Sequence, residues 1–372
     1  MKCIQCGTDN NLKERLANYG RCKNCHHKFA FEPTVMATRN RFTDPFFAKL
    51  LNDISANNTL YFTPTQLFYL LEKRLAKKNL KMTAGWIMGW GVMLIVFGFL
   101  FLVTILGLPL MMLGVVVLLY SLWYSQSQLQ SQRALLIDQS MTQEWLERWN
   151  QANSTPEKLL SQDHQQSTPI SIASDITAYS FDRLLVCDST QIAKMLIANN
   201  FHFNNNCAVL SITGYPQSIF ATAMEMLRNN PDLRVYGLHD CSPDGMELMR
   251  KLQTDANWFA QSNVVIIDVG LLPRQIMAAK RNMSVQVSEA SATEAKLLPK
   301  EIRQNLGPKE LEWLESGNFV ELESFTPLRL MQILNRSMAK GREIDSDDGE
   351  VILIDDSDSD SDRNYYVIDS FG

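Results

Sequence analysis

Apolar residues run almost without interruption from Ala84 to Tyr124, while on both sides of that block they recur every second to fourth position among polar ones. No Asp, Glu, Lys or Arg occurs in the 51 positions from Met82 to Gln132, which a water-soluble fold rarely tolerates. A helix needs about 20 apolar residues to cross a hydrocarbon layer of roughly 30 Å. The block is about twice that length, so it predicts two passes. Gly107, Leu108 and Pro109 supply the expected break, because proline has no amide proton with which to continue a helix. Trp86 and Trp90 at the start of the first pass, and Tyr120, Trp123 and Tyr124 at the end of the second, then share one membrane interface. The basic run Lys73, Arg74, Lys77, Lys78 and Lys81 places that interface, and both termini, on the cytoplasmic side. The interior offers only Thr104 and glycines where a transport pathway needs ionisable groups. The transmembrane hairpin, residues 82–126, is therefore expected to be an anchor, its second pass either full or re-entrant.

Ahead of the hairpin, residues 31–81 predict a basic juxtamembrane segment with two helices. One runs through Pro45–Leu51, and the other starts at Thr63 with Pro64 in its first turn. Its basic end suits anionic lipid head groups or nucleic acid. Behind the hairpin, residues 127–169 predict an exit helix, Ala134 to Trp149, and a polar linker, Gln151 to Pro169. Residues 170–340 then alternate apolar runs with helical stretches. Arg183–Cys187, Cys207–Ser211, Leu233–Leu238 and Val264–Ile267 are the runs; Gln191–Asn200, Ser218–Asn229 and Met246–Thr254 lie between them. That βαβαβαβ order predicts an α/β fold, a parallel sheet with helices on both faces. Two further helices are expected over Pro308–Ser316 and Leu328–Lys340.

Charge sharpens this layout. The net value of −5 averages 14 Lys/Arg against 6 Asp/Glu up to Lys81 with 2 against 11 from Gly341 onward. Residues 341–372 thus predict an acidic, disordered tail, in which Val351-Ile352-Leu353-Ile354 can add as an edge strand to a partner or fold back on its own domain. With 46 % hydrophobic residues, the chain as a whole is not disordered.

Cys3, Cys6, Cys22 and Cys25 form C-x2-C-x15-C-x2-C, a spacing that converges four thiolates on one tetrahedral zinc ion. The pattern resembles zinc ribbons over residues 1–30, with Gly7 and Gly20 beside the knuckles and two β-hairpins expected between and after them. No signal peptide precedes the first knuckle, so a reducing compartment is expected and disulfides are not. His26 and His27 are alternative ligands, although four thiolates already complete a structural site. Cys187, Cys207 and Cys241 stand apart and fit ordinary strand or turn positions.

In parallel sheets, functional groups collect at the carboxyl ends of strands. Those ends carry Asp188, Thr213-Gly214-Tyr215-Pro216, His239 through Gly245, and Asp268. Asp188, Gly214-Tyr215-Pro216, Asp240-Cys241-Ser242-Pro243-Asp244-Gly245 and Gly270-Leu271 come in the order and spacing of a known family. From Leu184 to Gln275 the chain resembles Toprim domains, especially those of the topoisomerase VI A subunit and related meiotic DNA-breaking proteins. The resemblance implies a divalent-metal site, with Asp188 and Asp240 as magnesium ligands and Asp188, Asp240 and Asp244 as catalytic candidates. It also marks departures: Asp188 stands where the family has glutamate, and Ser242 where it has a second aspartate. Asp244 can instead cap a helix, Asp268 can be a turn residue, and His239 either shuttles protons or is structural. Strand breakage in the family uses a tyrosine on a preceding winged helix, whereas Tyr179, the nearest upstream tyrosine, lies in no helix-turn-helix pattern.

Three functions follow as expectations. The first is a membrane-anchored Toprim-like protein that binds nucleic acid, nucleotide or a protein partner without robust catalysis. The second is a magnesium-dependent phosphodiester or phosphate-transfer enzyme, and the third a structural membrane adaptor.

Overall fold

The computed structural model describes residues 1–100, 107–130, 135–161, 181–229, 233–260, 262, 264–279 and 283–340. The acidic tail, Tyr179, Thr104, residues 162–169 of the linker and the expected start of the α/β domain at residue 170 lie outside the described residues.

The amino-terminal half is helical: α1 (Leu12–Ala17), α2 (Asp44–Ile54), α3 (Pro64–Leu100), α4 (Gly107–Gln130) and α5 (Gln139–Ala152). Thr63 and Gln66 start α3 with reciprocal bonds, Thr63 N–H to Gln66 Oε1 at 3.0 Å and Gln66 N–H to Thr63 Oγ1 at 3.1 Å. The basic juxtamembrane helix and the first apolar pass, expected as separate units meeting at residue 81, are one helix of 37 residues. Nothing breaks it, because the run from Lys73 to Met82 contains neither proline nor glycine. By length and composition α3 is the one described helix able to cross a membrane; the apolar part of α4, Pro109–Leu122, is shorter. The outer half of α3 leaves Trp86 and Phe99 at 73 % and 68 % exposed, an apolar surface with no protein against it among the described residues.

The break expected at Gly107, Leu108 and Pro109 is displaced. All three belong to the first turn of α4, where a missing amide proton costs nothing. The helices α3 and α4 run in opposite directions: Ser121 Oγ donates to Ala84 O at 3.0 Å, and Gly114 meets Gly91 seven residues further along α3. A Cβ on Gly114 would sit 2.8 Å from the Gly91 carbonyl oxygen and 2.6 Å from Ile95 Cγ1, so only glycine permits this approach.

Before entering its apolar half, α3 shares an aromatic core with α2 and α5. Phe42 and Phe47 meet Trp145 and Trp149 at ring-centre distances of 5.0 and 5.1 Å, and Phe31 packs on Phe42 at 4.6 Å. Thus α5 is not a free exit helix. Trp145 and Trp149, one turn apart, turn their face of it inward. The linker also contributes: Leu160 N–H donates to Phe62 O and Phe62 N–H to Lys158 O, at 2.9 and 3.0 Å, and Leu159 joins the aromatic core while Leu160 joins the core of the sheet.

The carboxy-terminal half contains β1 (Arg183–Cys187), α6 (Thr190–Ala198), α7 (Phe201–Asn205), β2 (Cys207–Ser211), α8 (Gln217–Asn229), β3 (Arg234–Leu238), α9 (Pro243–Met246), α10 (Leu248–Thr254) and β4 (Ile266–Asp268). It continues with α11 (Pro273–Ala278), β5 (Gln286–Val287), α12 (Glu289–Leu297), α13 (Lys300–Asn305), α14 (Pro308–Glu315), β6 (Asn318–Phe319) and α15 (Pro327–Lys340). The first four strands form a parallel sheet in the order β2-β1-β3-β4, with Cys187 level with Ser211 and Leu238. Successive side chains point to opposite faces. Leu185, Val209 and Tyr236 pack with α6 and α15, while Leu184, Ala208 and Val235 pack with α8 and α10. Both faces are covered, which explains the unbroken apolar runs Leu184–Cys187 and Cys207–Leu210.

Candidate functional site

Each cysteine knuckle is a turn closed by the same two backbone bonds. Cys3 N–H donates to Thr8 O at 3.0 Å and Gly7 N–H to Cys3 O at 2.9 Å; Cys22 N–H donates to His27 O at 2.9 Å and His26 N–H to Cys22 O at 3.0 Å. Gly7 and His26 occupy equivalent left-handed positions, with φ of 71° and 56°. His26 is thus a turn residue. The four cysteine sulfurs lie within 4.8 Å of one another, with Cys3–Cys25 and Cys6–Cys22 each at 3.6 Å. A tetrahedron with Zn–S bonds of about 2.3 Å needs sulfurs roughly 3.8 Å apart, so the donor set fits a structural zinc ion with no position left for substrate. Neither His26 nor His27 belongs to the converging group. The expected hairpins are reduced to single bridges, Lys2 with Asp9 and Arg21 with Lys28, and the intervening segment is the short α1. Short polar stretches suit hairpin strands as well as a helix, and here Asn11 and Glu14 decide for the helix by forming a reciprocal cap at 2.9 Å.

The sheet order dictates the second site. The connection from β1 leads outward to β2, while β3 lies on the other side of β1, so the chain reverses direction between β1 and β3. Ligand crevices in open α/β sheets form outside the carboxyl ends at such a reversal. Asp188 and Asp240 follow β1 and β3 and meet there, Asp240 N–H donating to Asp188 Oδ2 at 2.6 Å. Asp244 does not join them. Its side chain is 79 % exposed and takes the Lys251 ammonium at 2.7 Å. Ser242 caps α9, accepting Gly245 N–H at 3.0 Å, and Gly245 is obligatory because a Cβ would collide with the Asp240 carbonyl.

Two further acids that sequence reasoning missed close the crevice. The segment after β6 pairs with the third strand's extension, Cys241 N–H to Val320 O and Val320 N–H to Cys241 O, both at 2.9 Å. This lays Glu321 and the 3-10 turn Leu322–Ser324 across the strand ends. Leu322 N–H donates to Asp240 Oδ1 at 2.6 Å, Ser189 Oγ donates to Glu323 Oε1 at 3.1 Å, and Tyr69 of α3 donates to Glu321 Oε2 at 2.8 Å. Gln66, also on α3, donates to Phe325 O at 3.1 Å. The only sequence signal was the acidic pair in Val320-Glu321-Leu322-Glu323, some 80 positions from Asp240.

Burial sets the electrostatics. It raises Asp188 to about 6 against the opposing Asp240 N–H bond, and raises Glu323 to about 7 with the help of the negative Glu321 and Asp188. Asp240 is pushed well above the usual carboxylate range by burial and then by Asp188 and Glu323. His239 belongs to a separate pair. Burial alone would discharge it, but Asp268 at 3.1 Å from Nε2 outweighs that and raises it to about 9. Asp268, accepting Gly270 N–H at 2.8 Å as well, is held below its ordinary value despite burial. Gly270 is required because a Cβ would overlap the His239 ring. Among the described residues, the cysteines are the one group of three or more ligating side chains whose donor atoms converge.

No known family model matches the chain, and no curated protein matches it.

Proposed function

We propose that the chain is an integral membrane protein in which a hairpin of α3 and α4 anchors two cytoplasmic units, a zinc-held module like a zinc ribbon and a Toprim-like α/β unit. The Toprim-like unit is a binding module for nucleic acid, nucleotide or a protein partner, without robust catalysis. One observation carries the second part. Each of the four acids at the strand ends accepts a bond from the chain's own donors, namely Asp240 N–H, Leu322 N–H, the Ser189 hydroxyl and the Tyr69 hydroxyl, which leaves Asp188 Oδ1 as a buried oxygen without one. A catalytic divalent site instead keeps carboxylates open to the ion, to water and to phosphate. In the zinc-held module, Cys3, Cys6, Cys22 and Cys25 hold the ion and so fix a surface; the ion itself supplies folding energy rather than a reactive position. The apolar, outward-facing α3 and the antiparallel α4 support the anchor.

A phosphodiester or phosphate-transfer enzyme is the alternative, favoured by the placement of Asp188 and Asp240 on either side of the chain reversal. Titration calorimetry with magnesium and manganese, run beside a nuclease and phosphatase screen with Asp240→Asn as control, separates the two. Weak or absent ion binding and no metal-dependent turnover are expected. Tight binding of two ions lost in Asp240→Asn, with turnover, would overturn the non-catalytic reading.

A further inference from the structure

The last charged residue before the apolar half of α3 is Lys81, and no other follows until Arg133. What the sequence separates, the fold collects at this height. Lys78 Nζ donates to Arg41 O at 2.6 Å, and Asn79 Nδ2 donates to Arg39 O at 2.7 Å. The loop is pinned from its other side by the buried Asn40 and by Phe42 in the aromatic core. Arg39 and Arg41 are therefore exposed beside exposed Lys78 and Lys81, about one helical turn from Met82. The nearby acids are engaged elsewhere. Asp53 pairs with Arg74, Asp44 accepts the N–H groups of Ala30 and Phe31, and Glu72 accepts those of Leu136 and Ile137.

We propose that Arg39, Arg41, Lys78 and Lys81 form a collar that binds the phosphate groups of anionic phospholipids. The inference rests on the reading of α3 as a membrane anchor and adds lipid selectivity to it. A guanidinium presents paired donors to phosphate oxygens. At a distance of one helical turn, the collar lies within the screening length of roughly 8 Å, so head-group charge is felt there. Continuity with the apolar surface of α3 favours a lipid over a soluble phosphate, because the same helix that seats the collar enters the hydrocarbon.

The test uses the purified full-length chain in detergent, titrated with phosphatidylglycerol or phosphatidylcholine and followed by native mass spectrometry. Wild type is expected to bind phosphatidylglycerol preferentially. Arg39→Gln/Arg41→Gln should weaken that binding by about thirty-fold, roughly fivefold for each charge removed. The pinning bonds use backbone carbonyls of these arginines, so an unchanged melting temperature is expected, and Arg41→Lys should retain most of the affinity. Equal affinity for the two lipids, an undiminished double variant, or displacement of phosphatidylglycerol by inorganic phosphate or an oligonucleotide would each overturn the proposal. Alkaline carbonate extraction reads the anchor separately. A chain washed from membranes sinks both readings, whereas one that stays but does not discriminate lipids sinks only this one.

Discussion

At the scale of single residues, the strand-end site is governed by what burial does to charge. Asp188 and Glu323 have folded-state values near 6 and 7 against ordinary values of 3.8 and 4.5, so the folded chain holds protons that the unfolded chain has released. Their contribution is fully present below pH 4 and is lost as pH rises from there through the folded values of about 6 and 7. His239, raised to about 9, adds stability below its ordinary 6.5 that disappears only as pH climbs through 9. Thermal melting of the detergent-solubilised chain should therefore already fall between about pH 4.5 and 6.5, ahead of the loss from histidine, which begins above 6.5. Glu323→Gln keeps the shape and the acceptor for Ser189 and should flatten that step; an unaltered profile would show that these carboxyls do not titrate as their surroundings demand. Gly270→Ala makes the complementary demand on space. Its methyl would displace the His239 ring from Asp268, and a loss of about 1–3 kcal/mol in chemical unfolding is expected.

Single elements explain which parts of the fold were legible. Strands buried on both faces announce themselves as apolar runs, and Arg183–Cys187 and Cys207–Ser211 match their expected limits. The fourth strand is displaced to Ile266–Asp268, since Val264 and Val265 are equally apolar and nothing local marks its start. The continuity of α3 was hidden by a change of composition at Lys81 that is not a change of backbone. Asp188 and Asp240 were legible because they directly follow strands, but Glu321 and Glu323 reach them only through the pairing of Cys241 with Val320. The contact of α3 with α4 was equally non-local. Gly114→Leu would drive a side chain into Ile95 and the Gly91 carbonyl, and it should lower the melting temperature by several degrees. Gly85→Leu, with open space around the glycine, should leave it unchanged. Equal effects would mean that the close approach of the two helices contributes nothing.

The whole molecule is held together at two places by chemistry of opposite kinds. In the amino-terminal module, sulfurs at 3.6 Å suit an ion of double positive charge, and one zinc per chain is expected by elemental analysis. Cys22→Ser should lose that zinc and expose residues 1–30 to hydrogen exchange while leaving the parallel sheet protected. The joint between α3 and the carboxy-terminal half uses side-chain hydrogen bonds instead. Tyr69 donates to Glu321, Gln286 donates to Tyr69, and Gln66 donates to Phe325 O. Because α3 continues into its apolar half without a break, this joint ties the strand-end acids to the long apolar helix. Tyr69→Phe keeps the ring in its buried place but leaves Glu321 without its donor, a cost of about 1–3 kcal/mol. The variant should exchange amide protons faster around residues 318–326 and not at β2, whose bonds are independent of α3. Uniform acceleration across the sheet would instead mark Tyr69 as an ordinary core residue, and the strand ends would then have no private link to α3.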